Sequence, residues 1–401
     1  MFALDGGASE QLRALLPLDE LRSVGAFFTG QTLAQFALDG IDGQLPNEWK
    51  VFDPACGAGN LLLAFAERIQ SKPKSLEEIA TLESRFIGCD VFPSFVKAAK
   101  IRLLLKFLLN MENVTGLPKN IVEEMFGKVF IGNGLFAVEH LAAATHILLN
   151  PPYTMVPVPH GCSWTKGKVN LAALFVEKCL VNCSHGSRII AILPDVLRSG
   201  TRYAKWRVFV EENAYIHRAE PFGRFDNHAN VDVFVLDCEI GGNTGRGCQR
   251  GVWYPTPTGT AHKVSDFFNI SVGSVVPHRN PNLGPWRPYL CARDVPIWSE
   301  VNSIGRNRRY KGSTFSAPFV VVRRTSSPKE KKRAVASIIT RGEHIAVENH
   351  LIVLSPKDST LQACRRLLRS LSTAETTNFL NQRIRCRHLT THAIGELPWQ
   401  Q

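Results

Sequence analysis

Four residues carry the clearest chemical pattern in this chain: Asn150, Pro151, Pro152 and Tyr153, which follow the apolar run 146–149. Two consecutive prolines cannot continue a β-ladder, because each lacks an N–H and has a fixed φ, so the chain must turn out of the sheet here. The Asn150 oxygen and a nearby backbone carbonyl can accept both hydrogens of an exocyclic amine, while Tyr153 offers a face for stacking. The pattern predicts a nucleobase pocket, although an ordinary strand-ending turn can have the same residues.

A second candidate site lies upstream, where the apolar segment 49–56 passes through Asp53 and leads into a glycine turn at 57–59. A helix is predicted from Asn60, and a ligand can approach the backbone closely between such a strand and such a helix. A dinucleotide-binding fingerprint is the alternative interpretation. Its last glycine would fall at Leu62, and the next acid at the end of a predicted strand is Asp90, beyond the required distance of about 20 residues, so a nicotinamide cofactor is disfavoured.

Acidic or amide side chains stand at the ends of four successive predicted strands: Asp53, Asp90, Asn133 and Asn150. Open α/β sheets build a ligand crevice from the carboxyl ends of their strands, so these side chains are expected at one edge of a sheet. An acid at the end of the second strand commonly binds ribose hydroxyls, which makes Asp90 a sign of an adenosine-bearing ligand. The predicted fold class is therefore α/β.

With these motifs the chain resembles the bacterial S-adenosylmethionine-dependent DNA adenine-N6 methyltransferases of type II restriction-modification systems, in the gamma order, in which the cofactor motifs precede the catalytic one. The resemblance covers about residues 24–240 and continues more loosely to the end. It implies a Rossmann-like methyltransferase domain over 1–240, with a mostly parallel seven-stranded sheet between helices, and a smaller α+β DNA target-recognition domain over 241–401. The implied cofactor is S-adenosyl-L-methionine, and the implied reaction is methyl transfer to the N6 amine of an adenine flipped out of double-stranded DNA.

The same resemblance implies roles for individual residues. The catalytic set is Asn150, Pro151, Pro152 and Tyr153, with Phe225 as the second aromatic on the target base and Phe222 as its competitor. Phenylalanine is more often a core residue than a stacking platform, so both positions have a structural alternative. The expected cofactor contacts lie in an N-terminal segment, a methionine-binding motif and the next two strand ends: Phe28, Thr29, Asp53, Ala55, Cys56, Gly57, Asp90, Val91, Asn133 and Gly134.

Basic residues are concentrated in the second part of the chain. Residues 1–240 contain 23 Lys+Arg and 26 Asp+Glu, whereas residues 241–401 contain 24 and 9. Clustered Lys and Arg favour a polyanion, so the second part is expected to bind DNA, with Arg323, Arg324, Lys331 and Lys332 as candidate contacts. A solvated basic face is the alternative. Strands are predicted there at 318–323 and 349–354, and helices at 360–371 and 375–383.

The composition favours a cytoplasmic protein. No apolar run is long enough to span a membrane, and the N-terminus lacks the pattern of a signal peptide. The ten cysteines have no metal-type spacing, so reduced thiols and no metal site are expected. The short segment before residue 25 favours a single-chain enzyme, expected as a monomer, with a companion endonuclease encoded separately. Two other functions stay open: methylation of RNA or a protein glutamine, and a catalytically silent DNA-binding subunit.

Overall fold

The computed structural model describes residues 4, 29–41, 45–69, 72–111, 117, 120–226, 231–241, 253–254 and 262–399 of the 401-residue chain. The chain divides into two compact units: unit 1 comprises residues 1–198 and 202–253, and unit 2 comprises residues 199–201 and 254–401. The predicted domain limit lies between residues 240 and 241, whereas the two units divide between residues 253 and 254. Most of the segment between these two positions lies outside the described residues. The assignment of residues 241–401 to target recognition stays a prediction.

Strands and helices are interspersed along the chain as far as residue 240. The strands are β1 Val51–Asp53, β2 Phe86–Asp90, β3 Val129–Ile131, β4 His146–Leu149, β5 Met155–Pro157, β6 Lys168–Asn170, β7 Arg188–Pro194, β8 Ala214–Arg224 and β9 Asp232–Ile240. The helices are α1 Gln31–Leu38, α2 Asn60–Arg68, α3 Leu76–Glu83, α4 Pro93–Leu108, α5 Ile121–Glu124, α6 Val138–Ala143, α7 Leu171–Asn182, α8 Asp195–Ser199 and α9 Ala204–Asn213, with 3₁₀ turns at Gly134–Phe136 and Thr201–Tyr203.

Unit 1 is built on a seven-stranded sheet in the order β3-β2-β1-β4-β7-β9-β8. The first five strands in this order run parallel, while β9 is antiparallel to both β7 and β8. The chain adds β2 and β3 on one side of β1 and continues with β4 on its other side. The carboxyl ends of β1 and β4 therefore flank a topological switch point, which is where open α/β sheets bind ligands. The prediction of a mostly parallel, Rossmann-like sheet of seven strands is confirmed.

Helices cover both faces of this sheet, which explains why its parallel strands consist almost wholly of buried apolar residues. On one face, Val51 of β1 and Leu148 of β4 belong to a core that includes Phe65 of α2 and Leu103 of α4. On the other face, the Phe52 ring contacts the His140 ring of α6, with centroids 5.8 Å apart. Neighbouring residues of a strand point to opposite faces, so this packing fixes which strand-end side chains reach the crevice.

Unit 2 contains a five-stranded sheet, β10-β17-β14-β15-β12, and a three-stranded sheet, β13-β11-β16. Its strands are β10 Phe268–Val272, β11 Trp286–Leu290, β12 Glu300–Val301, β13 Asn307–Arg309, β14 Phe319–Arg323, β15 Ala336–Ile339, β16 Ala346–Val347 and β17 Leu351–Pro356, and its helices are α10 Val264–Phe267, α11 Leu361–Leu371, α12 Ala374–Arg383 and α13 Thr391–Gly395. Strand β14 separates two cores. Val320 and Val322 pack with Leu367 of α11, whereas Val321 packs with Leu290 of β11. Helix α11 and strand β11 therefore lie on opposite faces of the larger sheet.

Among the described residues, no helix is long and apolar enough to cross a membrane.

Candidate active site

A cavity of about 310 Å³ opens at the carboxyl edge of the unit 1 sheet. Its volume lies within the range of small-molecule and cofactor sites, and its wall combines apolar side chains with a few polar groups, as such sites do. Eight of the residues predicted from the sequence line it: Ala55, Gly57, Asp90, Val91, Asn133, Gly134, Asn150 and Pro152. The structure thus brings together residues from four separate strand ends.

Asp90 is the acidic group in the wall of this cavity. Its Oδ2 accepts a hydrogen bond from the Gly57 N–H at 2.9 Å and its Oδ1 accepts one from the Phe92 N–H at 3.0 Å. Burial raises the pKa of Asp90 above its usual value, while the backbone N–H groups of Phe92 and Gly57 oppose that shift. A carboxylate offers about four acceptor positions, so Asp90 has capacity for further donors such as the two hydroxyls of a ribose.

Asp53 lies deeper than Asp90 and is only 1% exposed. Its Oδ1 accepts a hydrogen bond from the Ala55 N–H at 3.1 Å, which holds the turn that follows β1. Burial raises the pKa of Asp53 to about 8, and the nearby Asp90 carboxyl adds to the shift. The adjacent Cys56 is also buried, and its N–H donates to the Cys89 carbonyl at 3.0 Å, so it ties the turn to β2. Asp53 and Cys56 do not line the cavity; they lie behind its wall and hold the turn that forms part of it.

Two glycines allow the backbone to form this edge. Gly59 precedes α2 with a φ of 80°, a left-handed conformation that glycine adopts without strain. A Cβ on Gly134 would lie 1.9 Å from the Pro54 carbonyl oxygen, so the 3₁₀ turn after β3 can approach the β1 loop only without a side chain. Asn133 caps that turn, because its Oδ1 accepts a hydrogen bond from the Leu135 N–H at 3.1 Å. Its side chain is therefore held at the cavity rim.

Asn150, directly after β4, has its amide oriented by residues on both sides. Its Nδ2 donates to the Thr29 Oγ1 at 2.8 Å, and its Oδ1 accepts from the Tyr153 hydroxyl at 2.9 Å. The Tyr153 hydroxyl also lies 3.1 Å from the Ile192 carbonyl, and the Asn170 Nδ2 donates to the Tyr153 carbonyl at 3.0 Å. The Tyr153 bond identifies the amide oxygen of Asn150, which is an acceptor of the kind that an exocyclic amine requires.

The aromatic pair predicted to enclose a base is in direct contact. The Tyr153 and Phe225 ring centroids are 6.1 Å apart with the planes at 90°, and Phe225 is only 5% exposed. A base between two parallel rings requires about 7 Å, twice the contact distance of about 3.5 Å, so this edge-to-face pair must both separate and rotate before it can stack on a base. Phe222 packs instead on Phe36, with centroids 5.2 Å apart. Stacking by Phe225 stays a prediction.

The four predicted DNA contacts in unit 2 have two kinds of environment. Arg323 donates to the Val295 carbonyl at 2.9 Å and Arg324 to the Asn349 carbonyl at 3.0 Å, so both guanidinium groups, each partly buried, hold backbone within the unit. Lys331 and Lys332 are exposed, and the Lys332 Nζ lies 5.2 Å from the centre of the Trp298 ring. The two lysines are better placed for phosphate contacts than the two arginines.

Several cavity residues were not anticipated from the sequence. The apolar wall is formed mainly by Phe92 and Phe95, which follow β2, and by Leu171 and Phe175 of α7. The position of Phe92 and Phe95 within five residues of Asp90 was a usable signal, since the loop after a strand-end acid borders the same crevice. Thr29 was expected as a cofactor contact, and its hydroxyl bonds Asn150. Phe28, predicted as a cofactor contact, lies outside the described residues.

Comparison with known proteins agrees with this geometry. Residues 8–156 match the family model described as N-6 DNA Methylase. No curated protein matches the chain. The type IIL restriction-modification enzyme MmeI, solved in complex with DNA, is 12% identical over 97% of this chain and 70% of its own, with a TM-score of 0.56. This similarity shows a shared fold.

Two type I modification proteins resemble a smaller part of the chain. A modification subunit of a putative type I restriction enzyme from Vibrio vulnificus is 19% identical, with a TM-score of 0.42, over 58% of this chain and 48% of its own. The EcoKI M protein is 20% identical, with a TM-score of 0.40, over 58% of this chain and 47% of its own. The chain thus spans about half the length of these two proteins. Residues 8–156, the part of the chain that matches the N-6 DNA methylase model, include β1 to β4 and the Asn150 tip.

Proposed function

We propose that this chain is a site-specific DNA methyltransferase that transfers a methyl group from S-adenosyl-L-methionine to the N6 amine of adenine, as the modification enzyme of a restriction-modification system. The observation that carries the proposal is the position of Asn150. Its oriented amide lines the same cavity as Asp90 and Asn133, at the carboxyl end of β4, next to the switch point of the sheet. An amine acceptor and an adenosine-type site therefore share one crevice.

The cavity residues fit the proposed cofactor. Asp90 offers acceptor positions for ribose hydroxyls, and Asn133 offers a polar group beside an apolar wall suited to an adenine ring. The absent side chain at Gly134 keeps that wall close to the β1 loop, and the turn at Ala55 and Gly57 presents backbone to the remainder of the ligand. When bound, S-adenosylmethionine supplies a methyl group already activated on a sulfonium.

The chain's own contribution to the reaction is to prepare and position the amine. The nitrogen of an exocyclic adenine amine is a weak nucleophile, because its lone pair is delocalised into the ring. Hydrogen bonds from both amine hydrogens to the Asn150 oxygen and the Pro151 carbonyl would favour a more tetrahedral, more nucleophilic nitrogen. Thr29 binds the amide nitrogen of Asn150 and Tyr153 binds its amide oxygen. The oxygen that would accept the amine hydrogen is therefore oriented before the substrate binds. Fixed geometry of this kind supplies a large share of the acceleration in group transfer.

Double-stranded DNA is the proposed partner. An adenine inside a duplex cannot reach an enclosed cavity, so the proposal requires that the base be flipped out of the helix. Separation and rotation of the Tyr153 and Phe225 rings from their edge-to-face contact would then allow them to stack on it. Further parts of the proposal are a monomeric state, a separately encoded companion endonuclease and action in the bacterial cytoplasm.

Incubation of the purified chain with isotope-labelled S-adenosylmethionine and unmethylated duplex DNA tests the proposal. We expect labelled N6-methyladenine among the nucleosides released by digestion, and at one sequence context when the DNA is read by single-molecule sequencing. Asn150→Ala is the matched control, since it should retain cofactor binding and lose the product. Label found only in RNA or protein, when these are offered as substrates, would contradict the proposal, and cofactor binding without any product would identify a silent subunit.

A further inference from the structure

An exposed tryptophan stands on a small basic ribbon of unit 2. Strands β11 and β13 pair antiparallel with Trp286 opposite Arg309, so the two side chains share one face of the ribbon. Trp286 is 67% exposed, and Leu283 in the preceding loop is 54% exposed. Lys311, directly after the ribbon, is also exposed. Exposed apolar side chains that lie together within a polar rim mark interaction sites, and Leu283 and Trp286 are three residues apart at this basic ribbon.

The loop that carries Trp286 is held in place by the ribbon itself. The Arg309 Nε donates to the Gly284 carbonyl at 2.9 Å, and the Tyr310 N–H donates to the Pro285 carbonyl at 3.0 Å. Gly284 has a φ of 108°, and a Cβ there would lie 2.9 Å from the Lys311 nitrogen, so the loop and the end of the ribbon are in close contact. A rigid platform loses little conformational entropy when a partner binds, which favours a role for the exposed indole in recognition.

The electrostatic character of this surface indicates the partner. Segments 271–291 and 301–316 contain six Lys and Arg residues and not one Asp or Glu. Some of this charge is used within the unit: Arg308 donates to the Asn280 carbonyl at 2.7 Å, and Arg306 pairs with Asp294 at 2.7 Å. Exposed Arg309 and Lys311 flank the Trp286 loop without an acidic neighbour in sequence. An exposed ring between such cations fits a polyanion with apolar base faces.

We propose that the ribbon surface formed by Leu283, Trp286, Arg309 and Lys311 contacts duplex DNA, with Arg309 and Lys311 on phosphates and Trp286 as an aromatic wedge against the base pairs. The inference rests on the proposed function and adds to it the part of unit 2 that touches the substrate. It also differs from the expectation drawn from the sequence. Arg323 and Arg324 are partly buried and hold backbone carbonyls, whereas Arg309, which holds the Gly284 carbonyl, and Lys311 are exposed.

DNA binding by the full chain, followed by fluorescence anisotropy of a labelled duplex, tests the surface. Trp286→Ala should weaken binding about 5- to 100-fold, the loss expected when one stacking ring is removed. Replacing both Arg309 and Lys311 with Gln should lower the slope of log Kd against log salt by about 2. Arg309→Lys should restore part of that slope, because it keeps the charge. Trp286 is largely exposed, so its variant should unfold at the wild-type temperature.

The matched control is the double Gln variant of Arg366 and Arg369, which removes the same charge from the exposed side of α11, across the sheet from β11. We expect this control to keep most of the affinity and salt dependence. Equal losses in both double variants would show a nonspecific charge effect and overturn the proposal. Wild-type affinity in both Trp286→Ala and the ribbon double variant would also overturn the proposal. The proposed function fails separately, if the wild-type chain forms no N6-methyladenine.

Discussion

Replacement of Asp53 by asparagine should make the stability of unit 1 less dependent on pH. The Asp53 carboxyl is 1% exposed, and burial raises its pKa from 3.8 to about 8. In the folded chain the group therefore stays protonated up to about pH 8, whereas in the unfolded chain it loses its proton near pH 4. Between these values folding takes up a proton, so the contribution of Asp53 makes the folded state less stable as the pH rises, and the loss levels off above pH 8.

The size of the effect follows from the shift itself. About four pKa units at 1.36 kcal/mol each correspond to roughly 5 kcal/mol between the two ends of this pH window. An asparagine amide at this position would keep an oxygen for the Ala55 N–H and would carry no charge at any pH. Asp53→Asn should therefore match the wild type near pH 4 and exceed its free energy of unfolding increasingly as the pH rises, by up to roughly 5 kcal/mol at pH 8.

Urea unfolding of both proteins across this pH range measures the difference directly. Other titrating groups are common to the two chains, so they cancel when the two free energies are subtracted. Hydrogen exchange of the β1 amides, corrected for intrinsic rates, assigns the change to unit 1. If the separation between wild type and variant stays constant from pH 4 to pH 8, Asp53 ionises normally in the folded state and the reasoning from its burial is wrong.

Three further changes separate cofactor binding, catalysis and stability. Asp90→Ala should weaken S-adenosylmethionine binding by roughly 1.5–3 kcal/mol, the value of hydrogen bonds to an ionised group, and calorimetric titration with unchanged affinity would exclude Asp90 as a ligand. Thr29→Val should lower kcat about 5- to 10-fold by releasing the Asn150 amide, with Thr29→Ser near wild type; equal rates in both variants would show that the bond does not position the amide. Arg333, wholly buried, donates to the carbonyls of Leu380 at 2.9 Å and Cys386 at 2.8 Å, so Arg333→Met should cost unit 2 at least about 3 kcal/mol in urea unfolding, and a wild-type midpoint would contradict this.

The sequence predicted the structure best where a local residue pattern and the tertiary packing favour the same secondary structure. Asp53 and Asp90 end β1 and β2 as predicted. A run of buried apolar residues identifies each strand in the sequence, and the acidic residue that follows the run marks where the strand ends. The helix predicted at 360–371 corresponds to α11, Leu361–Leu371, which has a regular apolar face.

Features that depend on distant partners could not be predicted. The Thr29 bond to Asn150 joins positions 121 residues apart, and neither residue indicates the other in the sequence. The run that contains Arg323 and Arg324 is basic along the chain, but the direction in which each guanidinium points depends on carbonyls of other strands. Phe225 could be assigned to stacking or to the core, and only its contacts within unit 1 show that it is buried in this conformation.

The parallel arrangement of β3, β2, β1, β4 and β7 also determines where this molecule tolerates modification. All loops that carry the cavity residues leave the sheet at its carboxyl edge, so the turns that enter the strands at the opposite edge take no part in the site. Gly127, two residues before β3, is exposed, and a Cβ placed there meets no atom within 4 Å. A fluorophore or an affinity tag attached at this position would be anchored at the edge of the sheet opposite the cavity. This edge of the sheet is therefore the place to attach a label or a tag to the protein when its binding to cofactor or DNA is measured.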